Sequence, residues 1–226
     1  MLSTQKLPRP KFEPVPLDVD YFNLPQCSNS DLTELYLLNQ NDPEIDKEKA
    51  YEFGSLVDAV ITEEGIVNVF KREVNGKPYP VVDFEVAKKM REAFFRDREL
   101  RGIFKHSEKQ KIFIRNVPLF FNGISFVQPM RCKYDLWLND LWWGPDLKST
   151  AAETQQQFIN ACKFFDYDRQ VSVYMTITGS NQHMLIGISK NNFHVFKFRV
   201  QRGDKFFKSG MSKFLPLVFK YNMVYG

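Results

Sequence analysis

Between Lys111 and Ser149 the chain alternates apolar and polar residues with period two, and it carries a strong hairpin signal, Asn122-Gly123, in its middle. That pattern commits the segment to antiparallel strands, here expected to be short and broken at Asn116, Asn122-Gly123 and Pro129. Its last part, "RCKYDLWLNDLWWGPDLKST", interrupts a run of tryptophans and leucines with Asp135, Asp146 and Lys148. A two-residue turn at Asn139-Asp140 would face Leu138 with Leu141 and Asp135 with Gly144, making Asp146 the diagonal neighbour of Asp135. One face then carries Lys133, Asp135, Trp137, Gly144, Asp146 and Lys148; the other carries Tyr134, Leu136, Leu138, Leu141, Trp143 and Leu147. Two carboxylates roughly 7 to 8 Å apart at the backbone suit a hard cation, which prefers oxygen ligands. A solvated hairpin face has the same alternation, so periodicity alone does not choose between a wet surface and a site.

Helical periodicity flanks this β segment. "SNSDLTELYLLNQ" has Ser28 or Ser30 as a cap and Leu32, Leu35 and Leu38 on one face. "KAYEFGSLVDAVITEEG" has an apolar stripe through Phe53, Leu56, Val57, Val60 and Ile61, with Asp58 on or near it and Gly54 inside it. A carboxylate beside a core-facing stripe needs a partner or a task. A loop is expected at Pro43, a turn at "GKPYP", and an amphipathic helix over residues 83 to 104. Helices return within "TAAETQQQFINACKFFDYDRQVSVYMTI", and strands follow at about 183 to 189 and 193 to 200. The whole reads as an α/β (α+β) fold, a sheet and antiparallel meander flanked by helices.

Residues 1 to 26 hold Pro8, Pro10, Pro14, Pro16 and Pro25 and are expected to form an extended arm, leaving 27 to 226 as one domain. The 22 phenylalanines in 226 residues predict a Phe-rich core, and 26% charge with 11 glycines argues against disorder. The net charge is only +4, yet from Lys190 onwards eight basic residues face the single acid Asp204, a balance that suits either a phosphate backbone or a solvated strand face. Cys27, Cys132 and Cys162 give neither a disulfide framework nor a zinc pattern, and fit a reducing interior. The three histidines lack ligand spacing, and no apolar run approaches the roughly 20 residues of a membrane helix. An intracellular, cytoplasmic protein is expected.

The order Asp135, then Asp146-x-Lys148, resembles the core of the PD-(D/E)XK nucleases. "FGSLVDAVI" is similar to the "GTxxH" helix of their RecB-like branch, with Asp58 where histidine is usual, and Gln170 and Tyr174 in "QVSVY" are similar to its Gln-xxx-Tyr helix. "SNSDLTEL" and "KFFDYDRQVSVYM" look like the corresponding helices of RecE-type and lambda-exonuclease-like phage enzymes, so the resemblance spans about 28 to 200. It implies a restriction-endonuclease-like core with a mixed central sheet, and Mg²⁺-dependent hydrolysis of DNA phosphodiesters, with Mn²⁺ as a substitute. Asp135, Asp146 and Lys148 would be catalytic. Asp58, Asp135, Asp146 and the Leu147 carbonyl would bind metal, while Gln170 and Tyr174 would support the site or contact DNA. An iron-sulfur cluster is not expected from three scattered cysteines, nor a nucleotide without a Walker loop. Partners implied are duplex DNA ends, a single-strand annealing protein and copies of the chain in a ring, in a bacterial or phage-infected cell, with no membrane. The same core also serves endonucleases, single-strand nucleases and DNA-binding proteins that have lost catalysis.

Overall fold

A computed structural model describes residues 9–15, 20–38 and 47–226. The expected loop at Pro43 and the outer parts of the proline-rich segment lie outside them. Helix α1 (Asn29–Leu37) starts at a capping box: Ser28 Oγ accepts from the Asp31 amide at 3.3 Å, and the Asp31 carboxylate accepts from the Ser28 amide at 2.7 Å. Such a cap is worth about 1 kcal/mol. Helix α2 (Lys47–Thr62) buries Leu56, Val57, Val60 and Ile61. A small antiparallel sheet follows, with β1 (Val67–Asn68), β2 (Glu73–Val74) and β3 (Lys77–Pro78), so Lys77-Pro78 of the expected turn is strand. The single helix expected over 83 to 104 is two, α3 (Val81–Arg96) and α4 (Arg98–His106). Asp97 divides them because its extended backbone lets the carboxylate accept from the Glu99 and Leu100 amides, capping the second helix.

Strands β4 (Glu108–Phe121) and β5 (Ile124–Trp137) form one long two-stranded ribbon closed by Asn122-Gly123. The expected breaks at Asn116 and Pro129 do not occur, and these two residues face each other in the ladder. In a two-stranded ribbon every strand is an edge, so proline costs no interior hydrogen bond. The central mixed sheet is β6 (Pro145–Thr150) parallel to β7 (Gln182–Ser189), with β8 (Val195–Gln201) antiparallel to β7. Helices α5 (Gln155–Phe164) and α6 (Tyr167–Thr178) connect β6 to β7. The chain does not end on the strand pair: α7 (Lys205–Tyr225) follows, a helix the sequence pattern hid because Pro216 lies inside it.

β7 is buried on both faces, as a central strand flanked by helices should be. Met184, Ile186 and Ile188 join α2 and α3 in one core, while Leu185 joins α5, α6 and β8 in another. Gly187 has no side chain because the Phe158 ring occupies the place where Cβ would sit, 2.4 Å away. A third core, rich in aromatics, joins β4 and β5 to α1, α6 and α7. Residues 9–15 lie on the ribbon's β4 edge: the Glu13 amide donates to the Ile114 carbonyl at 2.9 Å and Phe12 packs on Phe113. Among the described residues, no helix is long and apolar enough to cross a membrane. The three cysteines are free and buried.

Candidate active site

The β5–β6 connection sets the site's register, and it differs from the expected two-residue turn. Leu138 pairs with Trp143 rather than Leu141, with the Trp142 amide donating to the Leu138 carbonyl at 2.8 Å. Residues 139 to 142 thus form a four-residue turn, with Trp142 in the left-handed region (φ 58°). The slip displaces Gly144 from Asp135. A Cβ on Gly144 would sit 2.2 Å from the Leu136 carbonyl oxygen and 2.7 Å from the Tyr134 ring, so glycine is required where β6 leaves β5. The predicted faces also divide differently. Leu136, Leu138 and Leu147 share a core with Trp143, but Tyr134 packs with Trp137 in another, and Leu141 is exposed.

Asp146 is 2% exposed, which rules out a solvated hairpin face. In β6, Asp146 and Lys148 pair with Leu185 and Gly187 of β7, while the intervening Leu147 pairs with Ile186. Both charged side chains meet α6: Gln170 Nε2 donates to Asp146 Oδ1 at 3.2 Å, and the Lys148 ammonium stands 4.8 Å from the Tyr167 ring centroid. Lys148 also forms an ion pair with Asp146 Oδ2, a fully buried oxygen for which this ammonium is the partner. Asp135, near the end of β5, accepts the Leu147 amide on Oδ2 at 2.6 Å. From α2, Asp58 accepts from Gln110 Nε2 on Oδ2 at 2.9 Å and from Thr62 Oγ1 on Oδ1 at 3.2 Å. Tyr174 is buried behind the cluster, its ring 5.1 Å from that of Tyr134 and 6.2 Å from that of His183.

Two of the acids, Asp58 and Asp135, are costly to ionise here. Burial, then the charges of Asp58 and Asp146, push Asp135 well above the usual carboxylate range. Burial likewise pushes Asp58 up to about 6, against the hydrogen bond from Gln110 and the attraction of Lys133. Burial opposes the charge on Lys148, but Asp146, Tyr167 and Asp135 outweigh it and raise the ammonium above its ordinary range. One protonated lysine therefore sits among three acidic groups.

The donors present are carboxylates and a backbone carbonyl, the set a hard divalent ion takes. Asp146 Oδ2 is buried and faces the Lys148 ammonium, so a carboxylate oxygen is already directed into the charged cluster that such an ion would join. Among the described residues, no three acidic, histidine or cysteine side chains are gathered closely enough to hold an ion by themselves. Carbonyl and water oxygens would have to complete the shell.

The sequence reading missed Gln110, Thr62 and Tyr167. Thr62 had a signal, being one helical turn after the part-buried Asp58; Gln110 had none, because its conformation departs from its strand.

The structure thus brings strand-borne Asp135, Asp146 and Lys148 together with helix-borne Asp58 and Gln170. A family profile described as a "PDDEXK-like domain of unknown function (DUF3799)" matches residues 21–225, so this chain belongs to that family. No curated protein matches in sequence. Among solved structures, the chain is similar to a phage related exonuclease from Haemophilus somnus 129PT, at 11% identity and a TM-score of 0.39, over 84% of this chain and 91% of that one. It is also similar to an alkaline exonuclease (LHK-Exo) from Laribacter hongkongensis, at 11% identity and a TM-score of 0.41, over 88% of each. The family match, rather than these distant likenesses, carries the assignment.

Proposed function

We propose that this nuclease-family chain is a divalent-metal-dependent deoxyribonuclease, an exonuclease acting on duplex ends in phage-type recombination. The observation that carries it is the cluster of buried Asp146 with part-buried Asp135 and Lys148, the lysine paired to Asp146, inside a PDDEXK-like domain. Asp135, Asp146, Asp58 and the Leu147 carbonyl would hold Mg²⁺ or Mn²⁺. When bound, such an ion lowers the pKa of water and neutralises charge on the phosphate.

The remaining work falls to the protein. Lys148, held cationic by its acidic neighbours, orients the attacking water and stabilises the charge that develops on the phosphate oxygens. Gln170 fixes the Asp146 carboxylate, and Asp135 is fixed by the Leu147 amide, so both acids are oriented before DNA arrives. Tyr174 supports Tyr134 and the strand that carries Asp135. The setting proposed is the interior of a bacterial or phage-infected cell, with a single-strand annealing protein receiving the product strand and a ring of copies keeping the enzyme on its DNA.

The test is digestion of 5′- and 3′-labelled linear duplex beside closed circular DNA, with Mg²⁺, Ca²⁺ or chelator. Loss of label from linear DNA only, requiring Mg²⁺, is the expected result. Cutting of the circle would refute end dependence. Lys148→Ala should abolish cleavage while leaving DNA binding measurable, and a wild type that never cleaves would leave only a DNA-binding role.

A further inference from the structure

Gln110 belongs to β4, yet its backbone is left-handed (φ 52°), a conformation a non-glycine residue seldom adopts within a strand. The distortion is local. Lys109 pairs with Leu136 and Lys111 with Tyr134, so Gln110 stands opposite Asp135 and the ladder is interrupted there alone between Glu108 and Phe121. The twisted backbone serves a side chain that reaches to another element. Gln110 Nε2 donates to Asp58 Oδ2 and to Thr62 Oγ1 on α2, each at 2.9 Å. An amide NH₂ has two hydrogens, and both are used. A carboxylate accepts only, so the nitrogen, not the oxygen, must face an ionised Asp58. That leaves Gln110 Oε1 buried and without a partner.

Strain, a spent donor pair and an orphaned acceptor coincide at one residue between the helix that carries Asp58 and the strand that carries Asp135. Backbone strain persists where surrounding structure enforces it, and it clusters at functional sites. Thr62 completes the arrangement, since its hydroxyl meets the Asp58 side chain at 3.2 Å and the Asp58 carbonyl at 2.9 Å. Together these contacts fix the Asp58 carboxylate on a helix that would otherwise leave it free to rotate.

Resting on the nuclease reading above, we propose that Gln110 is a positioning residue: it holds Asp58 at the metal-binding acids through its amide nitrogen. A partner outside the ligand shell that orients a ligand commonly contributes 10- to 100-fold in metal affinity. Gln110 therefore acts on metal loading before it acts on DNA.

The experiment titrates Mn²⁺ calorimetrically into wild type, Gln110→Ala, Asp58→Asn and the double variant, without DNA, and measures the Mg²⁺ concentration for half-maximal cleavage. Gln110→Gly serves beside Gln110→Ala, because glycine accepts the left-handed backbone and keeps the fold if alanine does not. Either Gln110 variant should bind Mn²⁺ about 10- to 100-fold more weakly and need correspondingly more Mg²⁺. In the Asp58→Asn background, removing Gln110 should change Mn²⁺ affinity by less than about 3-fold, because the residue acts through Asp58. Equal affinity in wild type and both Gln110 variants overturns the inference, as does a full additional loss in the Asp58→Asn background. A wild type that neither binds Mn²⁺ nor cleaves DNA removes the nuclease reading itself, an outcome distinct from either.

Discussion

Asp58 shows how burial turns a sequence anomaly into a titration. Its carboxyl sits at about 6 in the fold against an ordinary 3.8, so the folded state holds the proton more tightly than the unfolded chain does. Between about pH 4 and 6 the unfolded state binds fewer protons, and stability must fall as pH rises through that window. Two units correspond to about 3 kcal/mol at most, and Asp135, shifted the same way, adds to the loss. His183 works in the opposite sense. It is buried and titrates at about 4, so it favours the fold above its unfolded pKa and gives that up as pH falls. The two are separated by comparing wild type with Asp58→Asn, which share His183. In chelator, wild type should lose melting temperature relative to Asp58→Asn between pH 4 and 7, and Mg²⁺ should close the gap. A gap that is flat across pH and indifferent to Mg²⁺ would show that Asp58 is not held at this cost.

Gln110 allows a second measurement at the same scale. A left-handed backbone costs a residue with a Cβ about 1–2 kcal/mol relative to glycine. Gln110→Ala and Gln110→Gly lose the same side-chain hydrogen bonds, so their difference isolates the backbone. The glycine variant should be the more stable by about 1 kcal/mol in chemical denaturation; equal stability would mean that the backbone relaxes once the amide is gone.

At the level of elements, the least tolerant junction is where β6 parts from β5. A Cβ on Gly144 would meet the backbone oxygen of Leu136 at 2.2 Å, and a backbone atom cannot swing aside as a side-chain end can. Gly144→Ala should cost about 1–3 kcal/mol. It should also weaken metal binding, because the shift passes directly into Pro145 and Asp146. A stable variant with full metal affinity would mean that β6 is not held by this contact. How much was legible follows the locality of each signal. The start of α1 was readable to within two residues, as Ser28 or Ser30, and the structure selects Ser28 through Asp31; the ribbon was readable because Asn122-Gly123 dictates its turn. The β5–β6 register was not, since the left-handed Trp142 that closes a four-residue turn is stabilised by tertiary contacts, its indole donating to the Thr178 carbonyl at 3.0 Å. Asp135, Asp146 and Lys148 were nonetheless placed near one another, because their strands could be recognised even with the wrong register. The α7 helix escaped because Pro216 argues locally against it, whereas packing of Phe214 and Val218 on the ribbon's aromatic core overrides that local cost.

Over the whole molecule, charge is distributed less simply than the run of basic residues after Lys190 suggested. Lys197 binds Asp97 at 2.7 Å and Glu99 at 3.0 Å, Arg199 pairs with Glu99, and Lys213 bridges Asp166 and Asp168. Arg202 donates to the Ser180 and Met175 carbonyls. At least four of the eight cations thus join one part of the fold to another: Lys197 ties β8 to the start of α4, and Lys213 ties α7 to α6. A cation already committed to two carboxylates has little charge to offer a phosphate, and DNA affinity should depend on it weakly. Lys197→Met should therefore cost about 1 kcal/mol of stability, since its removal leaves the part-buried Asp97 without its cation while Glu99 keeps Arg199. It should leave the dependence of DNA affinity on salt unchanged, whereas loss of a true phosphate contact lowers the slope of log affinity against log salt by about 1. Chemical denaturation and a salt series of DNA binding on the same variant measure both quantities, and a reduced slope with unchanged stability would return Lys197 to the DNA-binding surface.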